Sequence, residues 1–185
     1  FLLVVQFMML AAVPALAGLS LVADDAIVLI FGMQWADAVM PLKFLALGGV
    51  FMMLAAMLPP LFNSLGRTDI NIKVGLFNAV GMSAGFAVGG TAAGLIGVCG
   101  VWLVVTPVIV LATIGQTRSV TGISIGDILR PLIPISFATL CMSVAVVLVR
   151  WWLPEPDPST ARLVISVLVG GATFVAAMGL LGRRQ

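Results

Sequence analysis

Apolar residues in this chain come in long unbroken blocks, not at the three-to-four-residue spacing of a half-buried helix or the two-residue spacing of a half-buried strand. A bilayer core about 30 Å thick asks for roughly 20 mostly apolar residues per helical pass. Counting apolar runs between charged or proline-rich breaks predicts six such passes, over 1–22, 38–66, 70–90, 92–117, 128–152 and 161–182. Membrane barrel strands are about 10 residues long and alternate in polarity, so runs twice that length and continuously apolar exclude them. The expected class is all-α: one polytopic transmembrane helical unit over 1–185 with short connections.

The breaks have local causes. Asp24-Asp25 is expected to end the first pass, and Gly66-Arg67-Thr68-Asp69 joins a C-cap glycine to charge before the third. Pro154-Glu155-Pro156-Asp157-Pro158 cannot continue a helix or lie in hydrocarbon, and Ser159 or Thr160 is placed to cap the last helix. Between Gly85 and Gly97 there is no charge at all, so the third and fourth passes must be joined by a tight turn.

Composition strengthens the membrane reading. Hydrophobic residues make up 62% and charged residues 9%, where soluble domains carry about 25% charged; the mean hydropathy is +1.24. The net charge is +2, with no basic run interleaved with aromatics, so nucleic acid is not an expected partner. The chain opens at Phe1, already inside an apolar run and with no basic region before it. That is read as a helix met midway in a longer protein, not as a signal peptide. Cys99 and Cys141 both lie in apolar stretches, where a small buried hydrophobe is the simpler reading than a disulfide or metal ligand.

Alternating the loops puts Arg67, Lys73, Arg118, Arg130, Arg183 and Arg184 on one side and Lys43, Arg150 and Arg162 on the other. The second side also holds Asp24, Asp25, Asp37, Glu155 and Asp157. Because the positive-inside rule counts Lys and Arg and not net charge, the first group is expected in the cytoplasm, together with both ends of the chain. Trp151-Trp152 then sit at the outer interface, where an indole keeps its N–H wet and its ring in lipid.

Histidine and tyrosine are both absent, which removes the commonest general base and the commonest zinc ligand. No lysine follows the glycines Gly89-Gly90 to Gly97, so there is no Walker loop; close helix approach is the simpler use for them. Asp24-Asp25 has no nucleophile or base nearby, and a solvated loop is expected there. Ser64, Ser83, Ser136 and Ser143 have no histidine to activate them. The chain is expected to be no enzyme and to need no metal or cofactor.

What remains is a small set of polar groups in or near the passes. Lys43 lies about a turn and a half into the second, placed either to snorkel or to meet an anionic group in a solvated cavity. Gln6 and Asn78 fall deeper in their passes and are uncharged; they are placed to bond between helices or to line a path for sugar hydroxyls. Asn63, Arg67, Asp69, Asn71 and Lys73 form a polar cluster at one turn, read either as a charge-anchored cap or as an attractor for a phosphate headgroup. Lys43, Asn63, Arg67, Lys73 and Asn78 are therefore the candidate substrate contacts. Several prolines fall within or at the ends of passes, and Pro59-Pro60 is the strongest expected kink.

One stretch is more specific: Pro14, Gly18-Leu19, Val22-Ala23-Asp24-Asp25-Ala26-Ile27-Val28, Phe31-Gly32 and Trp35 with Ala36 and Ala38. Together with the turn Asn63-Ser64-Leu65-Gly66-Arg67, it resembles the polysaccharide-exporter branch of the multidrug/oligosaccharidyl-lipid/polysaccharide superfamily, the O-antigen and lipid-linked oligosaccharide flippases. The motif-bearing part covers about residues 1–80. The resemblance implies a two-lobed transporter of the bacterial inner membrane whose last helices these are, with the N-terminal lobe supplied by missing helices of the same chain. It implies Pro14, Gly32 and Trp35 as structural motif positions and alternating access as mechanism, with a lipid-linked saccharide as substrate and membrane lipids as partners. Competing expectations are a small-molecule or drug exporter of the same superfamily, disfavoured by the lack of a mid-span carboxylate, and a scaffold of a polysaccharide assembly system. A membrane-embedded glycosyltransferase or ligase would need longer outer loops than these.

Overall fold

The structure, a computed structural model, describes residues 2–121, 126, 129–153 and 160–182. The elements run α1 (Leu2–Phe31), a short 3-10 helix (Met33–Ala38), α2 (Val39–Ser64), α3 (Thr68–Thr121), α4 (Leu132–Trp152) and α5 (Thr160–Gly182). No strand occurs among the described residues. Among the described residues five helices are long and apolar enough to cross a membrane.

α3 is two helices in one. Ala93 (φ −142°, ψ 18°) and Gly94 (φ 58°, ψ −136°) leave the helical region, and the chain folds back there. The arms, 68–92 and 95–121, lie antiparallel, since Gly81 faces Val105, Gly85 faces Val101 and Gly89 faces Gly97. Glycine is required at the closest approach: a Cβ on Gly89 would sit 2.7 Å from the Gly97 carbonyl oxygen, and one on Gly97 would land on the Gly89 carbonyl. The tight uncharged turn expected between Gly85 and Gly97 is thus where the chain reverses. Among the described residues four single helices and two arms make six helical segments.

The core clusters show which helix ends meet. At one end Val5 and Met9 of α1 pack with Ile135 of α4, supported by Met53, Leu54 and Met57 of α2 and Met178 of α5. At the same level Leu58 and Phe62 of α2 bury against Ile70, Val110 and Ile114 from both arms of α3. At the opposite end Ala23 and Ile27 of α1 meet Val39 of α2. Each helix therefore runs antiparallel to the next in sequence, which is the alternation the loop charges imply.

Much of the remaining surface is apolar. Leu3, Phe7, Ile72, Leu76, Val80, Val104 and Leu168 are among many large hydrophobics left exposed, each above 60%. Water tolerates apolar patches of only a few hundred Å², whereas hydrocarbon imposes no such limit, so this surface fits a lipid surround.

Two boundaries differ in an informative way. α2 ends as expected at Gly66 (φ 69°), where the Arg67 N–H donates to the Phe62 carbonyl (2.9 Å) and the Gly66 N–H to that of Asn63 (3.1 Å), both bonds of a Schellman cap. α1, by contrast, does not stop at Asp24-Asp25. It runs on to Phe31 and ends at Gly32, whose φ of 90° only glycine adopts without strain. The carboxylates do not break the helix because cations from three other helices neutralise them. α2 is continuous through Pro59 and Pro60. The proline-acid break from Pro154 to Pro158, with Ser159, lies outside the described residues, as do Arg183, Arg184 and the side chain of Arg118.

Candidate functional site

Asp24 and Asp25 sit nearly two turns before the end of α1. Neighbours on a helix point about 100° apart, so the two carboxylates reach different partners. Lys43, at the start of α2, donates from Nζ to both Asp24 oxygens at 2.9 Å. Arg150, in the last turn of α4, donates from Nη1 to Asp25 Oδ2 (2.7 Å) and from Nη2 to Asp24 Oδ2 (3.4 Å). Arg162, in the first turn of α5, donates from Nε to Asp25 Oδ2 (3.1 Å) and from Nη2 to Asp25 Oδ1. Five side chains from four helices therefore form one charge network.

Burial separates its two halves. Asp25 is wholly inaccessible, while Arg150 and Arg162 are 20% and 13% exposed. Asp24 is 44% exposed and Lys43 31%. A buried carboxylate without partners would cost several kcal/mol, a penalty that two guanidiniums and their directed bonds offset. The solvated-loop expectation for Asp24-Asp25 is therefore overturned: Asp25 is a buried node between helices. The signal was present in the sequence, since Arg150 and Arg162 belong to the same side as the acidic pair. Missing was any indication that α4 and α5 pack on α1.

Below the network lies an apolar cleft of about 530 Å³ between α1, α4 and α5, lined by residues that include Leu10, Pro14, Gly18, Met142, Ser166 and Gly170. Small residues open it. A Cβ on Gly170 would come within 3.0 Å of Val146, and one on Gly18 within 3.5 Å of Met142. Ser166 is fully buried, and its hydroxyl has no partner among the described residues.

The other sequence candidates gather at the opposite end. Asn71 Nδ2 donates to Asn63 Oδ1 (2.6 Å) and to the Pro59 carbonyl (3.0 Å), tying α3 to α2. Arg67 donates to Asp69 from Nε (3.0 Å) and Nη2 (3.3 Å), and this hydrogen bond holds the Arg67 guanidinium above its ordinary pKa. Asn78 shares a cavity of about 210 Å³ with Asn71 and Thr113, and Lys73 lines another of about 210 Å³ with Phe77 and Gln116. Asn78 and Gln6 are both exposed on the bundle surface. Lys43 stands apart from all of them: at 1.5 Å per residue, Lys43 and Asn63 on the same helix are about 30 Å apart. The five candidate contacts thus divide into one residue in the charge network, three near the other end, and Asn78 about 15 Å along α3 from Thr68, toward mid-span.

The motif positions lie along α1 and beyond it. Pro14 lines the cleft, Gly32 ends the helix, and Trp35 packs on Phe31 with ring centroids 6.2 Å apart at 55°. Trp151 and Trp152, at the network end of α4, are 74% and 78% exposed. Among the described residues no group of three or more His, Cys, Asp or Glu side chains is placed to hold a metal ion.

The fold and its apolar surface define a polytopic helical membrane protein. Comparison with protein-family models, with curated proteins and with solved structures finds no match to this chain.

Proposed function

We propose that the chain is the C-terminal part of a membrane transporter that moves a lipid-linked saccharide precursor across the bacterial inner membrane by alternating access. The observation that carries the reading is the pairing of a buried charge network with an apolar cleft beneath it. Two helix pairs, α1–α2 and α4–α5, are fastened at one end by directed ionic bonds. Between that end and the Val5–Met9–Ile135 core cluster, α1, α4 and α5 face a cleft.

Ionic bonds suit a closure that must break and reform, because they lock only at the correct geometry. Small and proline residues along the cleft leave room for helices to shift against one another. The resemblance of Pro14 to Ala38, and of the Asn63–Arg67 turn, to polysaccharide exporters supplies the substrate class. Lys43 takes part in the closure on this reading, and Arg67 and Lys73 offer charge to a headgroup at the other face.

The test is surface polysaccharide in a strain lacking the full-length protein, complemented with wild type, Asp25→Asn or Arg67→Ala at matched membrane levels. Wild type is expected to restore it and Asp25→Asn to fail. Failure of wild type to restore any lipid-linked saccharide translocation refutes the assignment.

A further inference from the structure

The cleft between α1, α4 and α5 has one polar feature that the transport reading does not use. Among its described lining residues only Ser166 has a polar side chain. That hydroxyl is fully buried and has no partner. A buried hydroxyl left unbonded costs about 1–3 kcal/mol, and because Ser166 lines the cleft, a turn about its χ1 is the shortest route by which the hydroxyl gains an acceptor there.

Depth along the helices ranks the groups. Arg162 is four residues before Ser166 on α5, about 6 Å further toward the charged end. Arg150 stands at the level of Arg162, since both bond Asp25. It uses two of its five N–H donors on Asp24 and Asp25. Away from that end, the α1 wall runs from Val22 to Leu10, about 18 Å at 1.5 Å per residue. Half of a bilayer's hydrocarbon core is about 15 Å.

We infer that the cleft binds one glycerophospholipid from the leaflet on the charged side. Its phosphate lies at the edge of the network beside Arg150, and one turn deeper an ester carbonyl accepts a hydrogen bond from the Ser166 hydroxyl once that side chain turns into the cleft. One acyl chain fills the apolar cleft as far as Leu10. Three features of the lipid, in order and at the right spacing, meet three features of the wall. Water is a poor occupant, because apolar cavities of this kind stay dry. A polyprenyl phosphate satisfies the charged edge and the apolar wall but has no ester carbonyl to offer Ser166. The inference concerns a resident lipid and does not rest on the transported substrate.

The test uses the full chain in vesicles of phosphatidylethanolamine and phosphatidylglycerol, doped with a diacyl phosphatidylethanolamine that carries a diazirine on one acyl chain. Cross-links are mapped by mass spectrometry. Labelling is expected on the cleft-lining segments of α1 and α5, and unlabelled diacyl lipid is expected to displace it about fivefold better than the dialkyl ether analogue, the ratio one ordinary hydrogen bond supports.

Ser166→Ala is expected to keep the labelling and lose the ester preference. Gly171→Leu fills the cleft from a position where an added Cβ meets nothing within 4 Å. It is expected to abolish cleft labelling while labelling of the exposed face of α3 stays unchanged, which shows the fold is intact. Undiminished cleft labelling in Gly171→Leu overturns the site. Equal displacement by ester and ether lipids in wild type, or an ester preference that survives in Ser166→Ala, overturns the assignment to a glycerolipid.

Discussion

Truncating Asp25 to alanine is expected to cost far more stability than truncating Asp24, although the two are neighbours in one network. Asp25 is inaccessible and bonded by two guanidiniums, both at least 80% covered. Removing one partner from a buried ion pair costs about 3–5 kcal/mol, because the surviving charge is left buried and unmatched. Arg150 retains its bond to Asp24 after the change while Arg162 loses both of its bonds to Asp25, so the lower figure, about 3 kcal/mol, applies. Asp24 is 44% exposed and its lysine 31%; solvent screening reduces such a pair to about 0.5–1 kcal/mol. The expected difference is therefore at least about 2 kcal/mol, roughly thirtyfold in the folded-to-unfolded ratio. Reversible unfolding of the full chain in mixed micelles of increasing SDS content, followed by tryptophan fluorescence, measures both variants against wild type. Equal losses for Asp24→Ala and Asp25→Ala would refute the assignment of Asp25 as the buried node.

Replacing the node by apolar groups in the double variant Asp25→Leu/Arg162→Leu is expected to recover stability to within about 1 kcal/mol of wild type, since well-packed hydrophobes match a buried pair; the same SDS titration reads it, while translocation stays lost. Gly97→Leu drives a side chain onto the Gly89 carbonyl and is expected to exceed the usual overpacking cost of about 1–3 kcal/mol; Gly100→Ala, where an added Cβ meets nothing within 4 Å, should leave the monodisperse yield in size-exclusion chromatography unchanged. Gly94→Ala places a Cβ at φ 58°, ψ −136°, outside the left-handed helical well and in a region sparsely populated by any residue but glycine, and should cost about 1–3 kcal/mol by the same titration. Arg67→Ala, in a pair whose side chains are about half exposed, is expected to leave the unfolding midpoint where it is, so that any transport defect it shows is functional.

A continuous apolar run of twenty residues admits few alternatives in any environment. The helical class, the six segments and their order follow from that pattern alone, because in hydrocarbon the backbone must satisfy its own hydrogen bonds. Gly66 and the glycines around Gly94 also announced their turns, since a positive φ or a close backbone approach leaves little choice of residue. Local rules failed at Asp24-Asp25. Two adjacent carboxylates look like a break when only the chain beside them is considered, yet Arg150 and Arg162 lie more than a hundred residues away. Which helices are neighbours is not encoded in the hydropathy of any one of them, as every face of such a helix is apolar. Packing of α1 against α4 and α5 alone made Asp25 a buried node and left a cleft with one unpartnered hydroxyl in its wall.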